Sequence, residues 1–503
     1  MQRLRAYLLR SLSLHLAVSL SLLLTGSALA ATPASAPAPR PNVLFIMADD
    51  LRAELGSYGS PALTPNLDRL ARRAVQFDRA YCQQAVCNPS RSSLLTGLRP
   101  DTLGVWNNSN HFRTSNPDVT TIPLHFKNNG YVTRGVGKIF HNWHTTVKGD
   151  PRSWSAPEFL HYESHGHDAP LVTGPLPPNL AQGGGGRLYT KVPLTECRDV
   201  PDEAYYDGRV AAEAVRVLTE VKDQPFFLAV GFWKPHAPFN APKKYWDLYD
   251  RDRLPALDPR RPTGAPEVAF HDSREILGLP DARIPPTAAQ IAEMRHGYFA
   301  NIAYFDAQLG KVLDALDRSG AAERTVVIFF SDHGYHLGEH TQWGKTSNFE
   351  YDARVPLLIA PPRTPHAGRR TAALAELVDV FPTLVSLCGL PSPARLDGTN
   401  LAPILANPTG SVKPAAFTQH PRPAYYDREP DKLPRVMGCS VRTARVRYTE
   451  WRDWKTGATV ARELYEDDDE PAETRNLIDD PRLASAQTEA AALLRAQFPP
   501  TPH

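Results

Sequence analysis

From about residue 41 to residue 390, short apolar runs rich in β-branched and aromatic residues alternate with longer amphipathic stretches. Four runs read as buried strands: NVLFIM (42–47), YVTRGVG (131–137), FFLAVGF (226–232) and TVVIFF (325–330). Helical patterns lie between them. TPNLDRLARRAVQF opens on Thr64 and Pro65 and spaces Leu67, Leu70, Ala71, Ala74 and Val75 on one face. DEAYYDGRVAAEAVRVLTEVK predicts a second helix, and AAQIAEMRHGYFANIAYFDAQLGKVLDALDRSG a long one stopped by Gly320. This alternation predicts an α/β domain with a mostly parallel central sheet flanked by helices, over residues 41–410.

Past residue 410 the pattern changes. CSVRTARVRYTEWRDWKTGATVARELYE reads as a hairpin or meander turning at KTG, followed by the acidic DDDEPAETRNL and a final helix. Residues 411–503 therefore read as a small α+β domain, and the acidic run as a solvated turn. Two stretches, roughly 150–200 and 250–287, are rich in Pro, Gly and charge and read as long insertions that shape a substrate site. The Gly run at 183–186 lacks the Lys-Ser/Thr of a phosphate-binding loop and gets no nucleotide role.

The N-terminus changes the compartment. Arg3, Arg5 and Arg10 precede the apolar SLHLAVSLSLLLTGSALA, which ends in Ala28-Leu29-Ala30. Residues 1–30 thus read as a signal peptide and 31–40 as a disordered linker. The mature chain is expected to be periplasmic or secreted, with no membrane span. A net charge of +2 argues against a nucleic-acid surface but leaves room for a local cationic pocket. Five cysteines (Cys82, Cys87, Cys197, Cys388, Cys439) are too few and scattered for a disulfide scaffold or a structural zinc site. Cys388 with Cys439 is one pair the count allows, and nothing in the sequence fixes it.

The candidate chemistry lies where the strands end. NVLFIM runs into Asp49-Asp50 and TVVIFF into Asp332-His333, while YVTRGVG leads to Lys138 and His141 and FFLAVGF to Lys234 and His236. In an open α/β sheet, ligands bind outside the carboxyl ends of the strands. Three carboxylates brought together repel unless a cation sits among them, and hard oxygen donors favour Ca²⁺ or Mg²⁺. His333 is less at home on calcium and reads either as a ligand or as a neighbour of the site. Lys138, Lys234, Lys345, His141 and His236 would surround an anion. A metal beside an anionic group is equipment for sulfuryl or phosphoryl transfer. Cys87 precedes Pro89 at a predicted helix start, where backbone N–H groups favour an anion. A thiolate there would be reactive, yet it is a soft ligand beside hard carboxylates.

CNPSR (Cys87 to Arg91), followed by SSLLTG, resembles the signature of the formylglycine-dependent sulfatases. The flanking AYCQQAVCNPSRSSLLTGLRPDT, TTIPLHFKNNGYVTRGVGKIFH, PFFLAVGFWKPHAPF and SDHGYHLGEHTQWGKTSNFEYDARVPLLI are similar to the iduronate-2-sulfatase branch. The resemblance implies an alkaline-phosphatase-like domain plus a small C-terminal domain. It implies that Cys87 is oxidised to formylglycine by a formylglycine-generating enzyme, and that one Ca²⁺ is bound by Asp49, Asp50, Asp332, His333 and the modified Cys87. Arg91 would steady the aldehyde hydrate, while Lys138, His141, His236 and Lys345 would line the sulfate site. A carboxylate such as Asp50 would activate the hydrate, with His236 or a lysine protonating the leaving oxygen and His141 accepting the second proton. Cys82 stands where a small residue is expected, and His336 and His340 have no place in the pattern, His336 being a candidate to face the sugar.

The implied activity is hydrolysis of sulfate esters on a sulfated glycan or glycosaminoglycan-like saccharide, at the 2-O-sulfate of iduronate or a related uronic acid. Two alternatives stand beside it: a phosphomonoester or phosphonate hydrolase of the same superfamily, and a catalytically silent glycan-binding protein.

Overall fold

The computed structural model describes residues 40–141, 147–159, 194–271, 276, 285–429, 431–466 and 473–500. The signal-peptide and linker readings, the Gly run at 183–186 and the acidic run from 467 to 470 lie outside the described residues.

The four apolar runs are strands β1 (Asn42–Asp49), β3 (Val132–Gly137), β4 (Phe226–Pro235) and β5 (Thr325–Ser331). Three more, β2 (Val75–Tyr81), β6 (Arg354–Ala360) and β7 (Arg369–Glu376), complete a seven-stranded sheet in the order β7-β2-β6-β5-β1-β4-β3. β1 pairs in parallel with β4 and β5, β3 with β4, and β7 with β2, whereas β6 runs antiparallel to both its neighbours. The mostly parallel sheet predicted from the alternation is therefore present.

Both faces of the sheet are covered, which is why its strands read as unbroken apolar runs. Successive side chains of a strand point to opposite faces. On β1, Leu44, Ile46 and Ala48 join a core with Val210, Ala214 and Val217 of α3 (Tyr206–Val221) and Ile302, Phe305 and Leu309 of α4 (Ala288–Arg318). Val43, Phe45 and Met47 join the opposite core with Leu94 and Leu95 of α2 (Cys87–Thr96). Burying each large apolar side chain contributes about 1.5–3 kcal/mol. α4 starts with a capping box in which Thr287 and Gln290 satisfy each other's backbone N–H groups.

One predicted helix is cut short. The 64–77 segment is helical only over α1 (Pro65–Ala71), and Val75 begins β2. Val75 and Phe77 satisfy the helical spacing and a period-2 strand equally, and pairing with β6 and β7 on either side decides for the strand.

The C-terminal segment forms a four-stranded antiparallel meander, β8 (Ala416–Arg422), β9 (Val436–Arg442), β10 (Val446–Asp453) and β11 (Thr459–Glu466), in that order. The final helix, α5 (Ala484–Gln497), lays Ala490, Ala491 and Leu494 on Met437, Val441, Tyr448 and Leu464. All five cysteines are free thiols. The Cys388–Cys439 pair is thus absent: Cys388 belongs to the core under α2 and Cys439 to that under α5.

A buried ion cluster ties the two parts together. Arg99 clasps Glu376 with two bonds of 2.9 Å, and Lys413 Nζ adds a third at 2.8 Å. Burial alone would raise the Glu376 carboxyl, but Arg99 and Lys413 outweigh it and bring it to about 2. A carboxyl lowered on folding stabilises the native state above its unfolded pKa, and that stability is lost as pH falls toward the folded value. Glu376→Gln should lower stability by about 3 kcal/mol at neutral pH, by removing the carboxylate that Arg99 clasps and Lys413 shares. The variant's deficit should shrink as pH drops below 4.5 toward 2, which acid unfolding of both proteins measures.

Candidate active site

Because β1, β3, β4 and β5 run parallel, their carboxyl ends share one edge of the sheet. Asp49 ends β1 and Asp50 follows it, and Asp332-His333 follows β5 with the Asp332 N–H bonded to Ala48 O (3.3 Å). Lys138 follows β3, its N–H bonded to Gly231 O of β4. Asp50 adopts φ 64°, a conformation rare for a non-glycine residue. Tyr298 fixes it by donating to Asp50 O (2.7 Å), and the Asp50 N–H donates to Asp332 Oδ1 (3.2 Å).

Cys87 is the first residue of α2, and Pro89 sits in the first turn, where a missing N–H costs nothing. Its Sγ is 3.6 Å from Asp49 Oδ1 and 3.4 Å from His333 Nε2. Two overlapping sets bring one ligand atom each within 4.8 Å of one another: Asp49, Cys87, Asp332 and His333, and Asp49, Asp50, Cys87 and His236. The predicted metal ligands therefore converge, and all of them are buried.

Each carboxylate also carries a cation. Lys138 Nζ bonds Asp49, Lys345 Nζ bonds both oxygens of Asp50 (2.7 and 3.0 Å), and Arg91 Nε bonds Asp332 Oδ2 at 2.8 Å. Arg91 is fully buried and also donates from Nη1 to Lys138 O and Ile139 O, which locks α2 onto the end of β3. Burial would raise the Asp49 carboxyl, but Lys138, His236 and Arg91 outweigh it and hold it well below the usual range. Burial lowers His333, which leaves a neutral imidazole. Its Nδ1–H donates to Gly334 O (3.0 Å), so the Nε2 lone pair faces the cluster.

The thiol itself departs from expectation. Burial and then the charge of Asp49 push Cys87 well above its ordinary value, against the pull of Lys138 and Lys345. The helix terminus does not make it a thiolate. An un-ionised thiol is a poor nucleophile.

His236 reaches the cluster on the loop after β4, its Nε2 3.9 Å from Asp50 Oδ2, with Nδ1 on Ala237 O (2.5 Å). Lys234 does not line the cluster as predicted: its Nζ donates to His236 O (3.1 Å) and Pro238 O (2.8 Å) and so shapes the loop instead. His141 is buried three residues past Lys138. His336 is fully buried, its Nδ1 2.6 Å from Asp352 Oδ1 and its Nε2 3.3 Å from His340 Nδ1. Cys82 is buried with Sγ 3.8 Å from Asp352 O.

Two residues escaped the sequence reading. Asp207 of α3 accepts from the N–H groups of Trp233 (2.8 Å) and Lys234 (3.0 Å) and so anchors the His236 loop. Its sequence signal is a carboxylate on the otherwise apolar face of an amphipathic helix. Trp233 places its ring 4.6 Å from Lys138 Nζ, a cation–π contact that pairing between distant segments hid.

A family profile described as "Sulfatase" matches residues 41–390, and one described as "N-sulphoglucosamine sulphohydrolase, C-terminal" matches 338–497. Iduronate 2-sulfatases of Mus musculus and Homo sapiens are each 35% identical to the chain over 87% of its length and 91% of theirs. The solved phosphonate monoester hydrolase of Silicibacter pomeroyi superposes with a TM-score of 0.73 at 23% identity, covering 92% of this chain and 96% of its own.

Proposed function

Because the chain belongs to the sulfatase family and is a sulfuric ester hydrolase, we propose that it removes the 2-O-sulfate of iduronate or a related uronic acid within a sulfated glycan. The observation that carries this reading is the convergence of Cys87 on three carboxylates and three basic side chains, in a chain 35% identical to iduronate 2-sulfatases over 87% of its length. The N-terminal pattern of residues 1–30 supports an exported protein, and among the described residues no helix is long and apolar enough to cross a membrane.

The donor set suits a hard cation: three carboxylates and one neutral imidazole nitrogen converge on residue 87. Asp49, Asp50, Asp332 and His333 would hold Ca²⁺, with an oxygen in place of sulfur at residue 87 after oxidation of Cys87 to formylglycine by a separate enzyme. Together the aldehyde hydrate and the ion supply an oxygen nucleophile and charge stabilisation at neutral pH.

The chain's own residues do the rest. Lys345, whose ammonium bonds both oxygens of Asp50, would present its charge to a sulfuryl oxygen. Lys138 does the same beside Asp49. Both hold the anionic group in a dry site, where charge interactions are strong. Asp49 Oδ1, the carboxylate oxygen hydrogen-bonded to Sγ, takes the proton from residue 87. That role falls to Asp49 rather than Asp50, whose oxygens are engaged by Lys345. His236 as imidazolium donates its Nε2 proton to the departing sugar oxygen, and His141 accepts the second proton. Arg91 fixes the start of α2 and with it the aim of residue 87.

Protein made in a host with the maturation enzyme should show an aldehyde at Cys87 in the tryptic peptide of residues 80–91 and an unchanged Cys82. It should release sulfate from a 2-O-sulfated uronic-acid disaccharide with a kcat/KM at least tenfold above that for a phosphonate monoester. Aldehyde-bearing protein that prefers the phosphonate would replace the proposed substrate with the other ester class, and plain thiols at both positions would leave a silent glycan binder.

A further inference from the structure

The turn that delivers Lys345 is held from outside the seven-stranded sheet. Thr346, the next residue, has φ 90°, a region where a β-branched side chain is strained, and its buried hydroxyl has no hydrogen-bond partner among the described residues. Such a residue persists only when its surroundings fix it. Its N–H donates to Ala85 O (3.0 Å), two residues before Cys87. Its carbonyl accepts from Arg422 Nη1 (2.8 Å), at the end of β8. Arg422 also donates from Nε to Val268 O (2.9 Å) and from Nη2 to Ala269 O (2.7 Å), with its guanidinium 4.9 Å from the Trp451 ring centroid. The same strand holds the chain ahead of Cys87: Gln419 N donates to Gln83 O (2.9 Å) and Thr418 Oγ1 to Cys82 O (2.7 Å).

We propose that Arg422 is a positioning residue for the reaction: through Thr346 O it fixes the strained turn that aims Lys345, and β8 thereby sets Lys345 and residue 87 in register with each other. The guanidinium's planar fork suits this task, because three carbonyls from two separate segments meet one rigid group. The inference rests on the sulfate-binding reading of Lys345.

The test is a double-mutant cycle on matured enzyme. Arg422→Met should lower kcat/KM about 100-fold, as expected when a catalytic group shifts by about an ångström. In a Lys345→Ala background the same change should cost less than about threefold, since the group it aims is gone. Arg422→Lys, which keeps the buried charge but not the fork, should show the same non-additivity and serves if Arg422→Met does not fold. Thr346→Gly should unfold at the same temperature or higher, because glycine accepts φ 90°, yet lose activity at least fivefold. Losses at Arg422 and Lys345 that multiply in full would overturn the proposal, as would a Thr346→Gly enzyme with full activity. A Lys345→Ala enzyme of unchanged kcat/KM would instead refute the sulfate-binding reading of Lys345.

Discussion

Cys87→Ala should reduce turnover of a sulfated substrate by at least about 10⁴-fold, the scale on which removal of a covalent nucleophile acts. Cys87→Ser should fare almost as badly. Serine restores one oxygen of nearly the same size among Asp49, Lys138 and His333, but lacks the second oxygen through which a hydrate releases sulfate. The side chain is small and its deletion strands no charge, so unfolding should move by no more than about 1 kcal/mol in either variant. Steady-state sulfate release and thermal unfolding on the same preparations decide the matter. A Cys87→Ala enzyme with ordinary turnover sinks the proposed mechanism, whatever its melting temperature.

Asp332→Asn should be damaging in a different way. Asp332 Oδ2 is the partner of the fully buried Arg91, and Oδ1 receives the N–H groups of Asp50 (3.2 Å) and His333 (3.0 Å). An amide can still accept those two bonds, but it carries no charge for the guanidinium. Arg91 then keeps only the longer contact from Nη2 to Asp49 Oδ1 (3.5 Å), so the cost is part of the about 3–5 kcal/mol that a buried cation left wholly unpaired would lose. The variant should therefore unfold at lower temperature, and added calcium should raise its unfolding temperature far less than that of the wild type, since stabilisation by a ligand follows its affinity for the native state. Calorimetry with and without calcium reads both effects independently of catalysis. A variant that calcium stabilises as strongly as the wild type would remove Asp332 from the ligand set.

The residues of this cluster were legible because strand ends are legible. Asp49-Asp50 and Asp332-His333 stand directly after apolar runs, and parallel pairing converts that linear coincidence into a shared edge. Their reading as candidate ligands followed from chemistry, since several carboxylates rarely close a buried strand without a cation. Lys234 misled for the same reason: it also follows a strand, and only the path of the loop shows its ammonium bending back onto backbone carbonyls. The Val75–Tyr81 strand escaped because its apolar positions fit a helix equally well, and its pairing partners, β6 and β7, lie nearly 300 residues away in sequence. What His336 and Arg422 touch had no local signal. Their partners are a carboxylate 16 residues on and a carbonyl 76 residues back, and no local spacing encodes either. The depth of burial was equally hidden, and with it the raised pKa of Cys87, since composition says nothing of desolvation.

That depth has a consequence in time. Cys87 is 1% exposed, and its neighbours on α2 are as deeply enclosed. No protein oxidant can take hold of a helix start so placed without unravelling α2 from the sheet. On the proposed chemistry, the thiol must be converted while the chain is still extended, in the seconds between synthesis and folding. A molecule that folds first is spent, and mixing it later with the oxidising enzyme should not recover it. The active fraction of any preparation is then the outcome of a race between two rates, and slowing folding, rather than lengthening incubation, is the way to raise it.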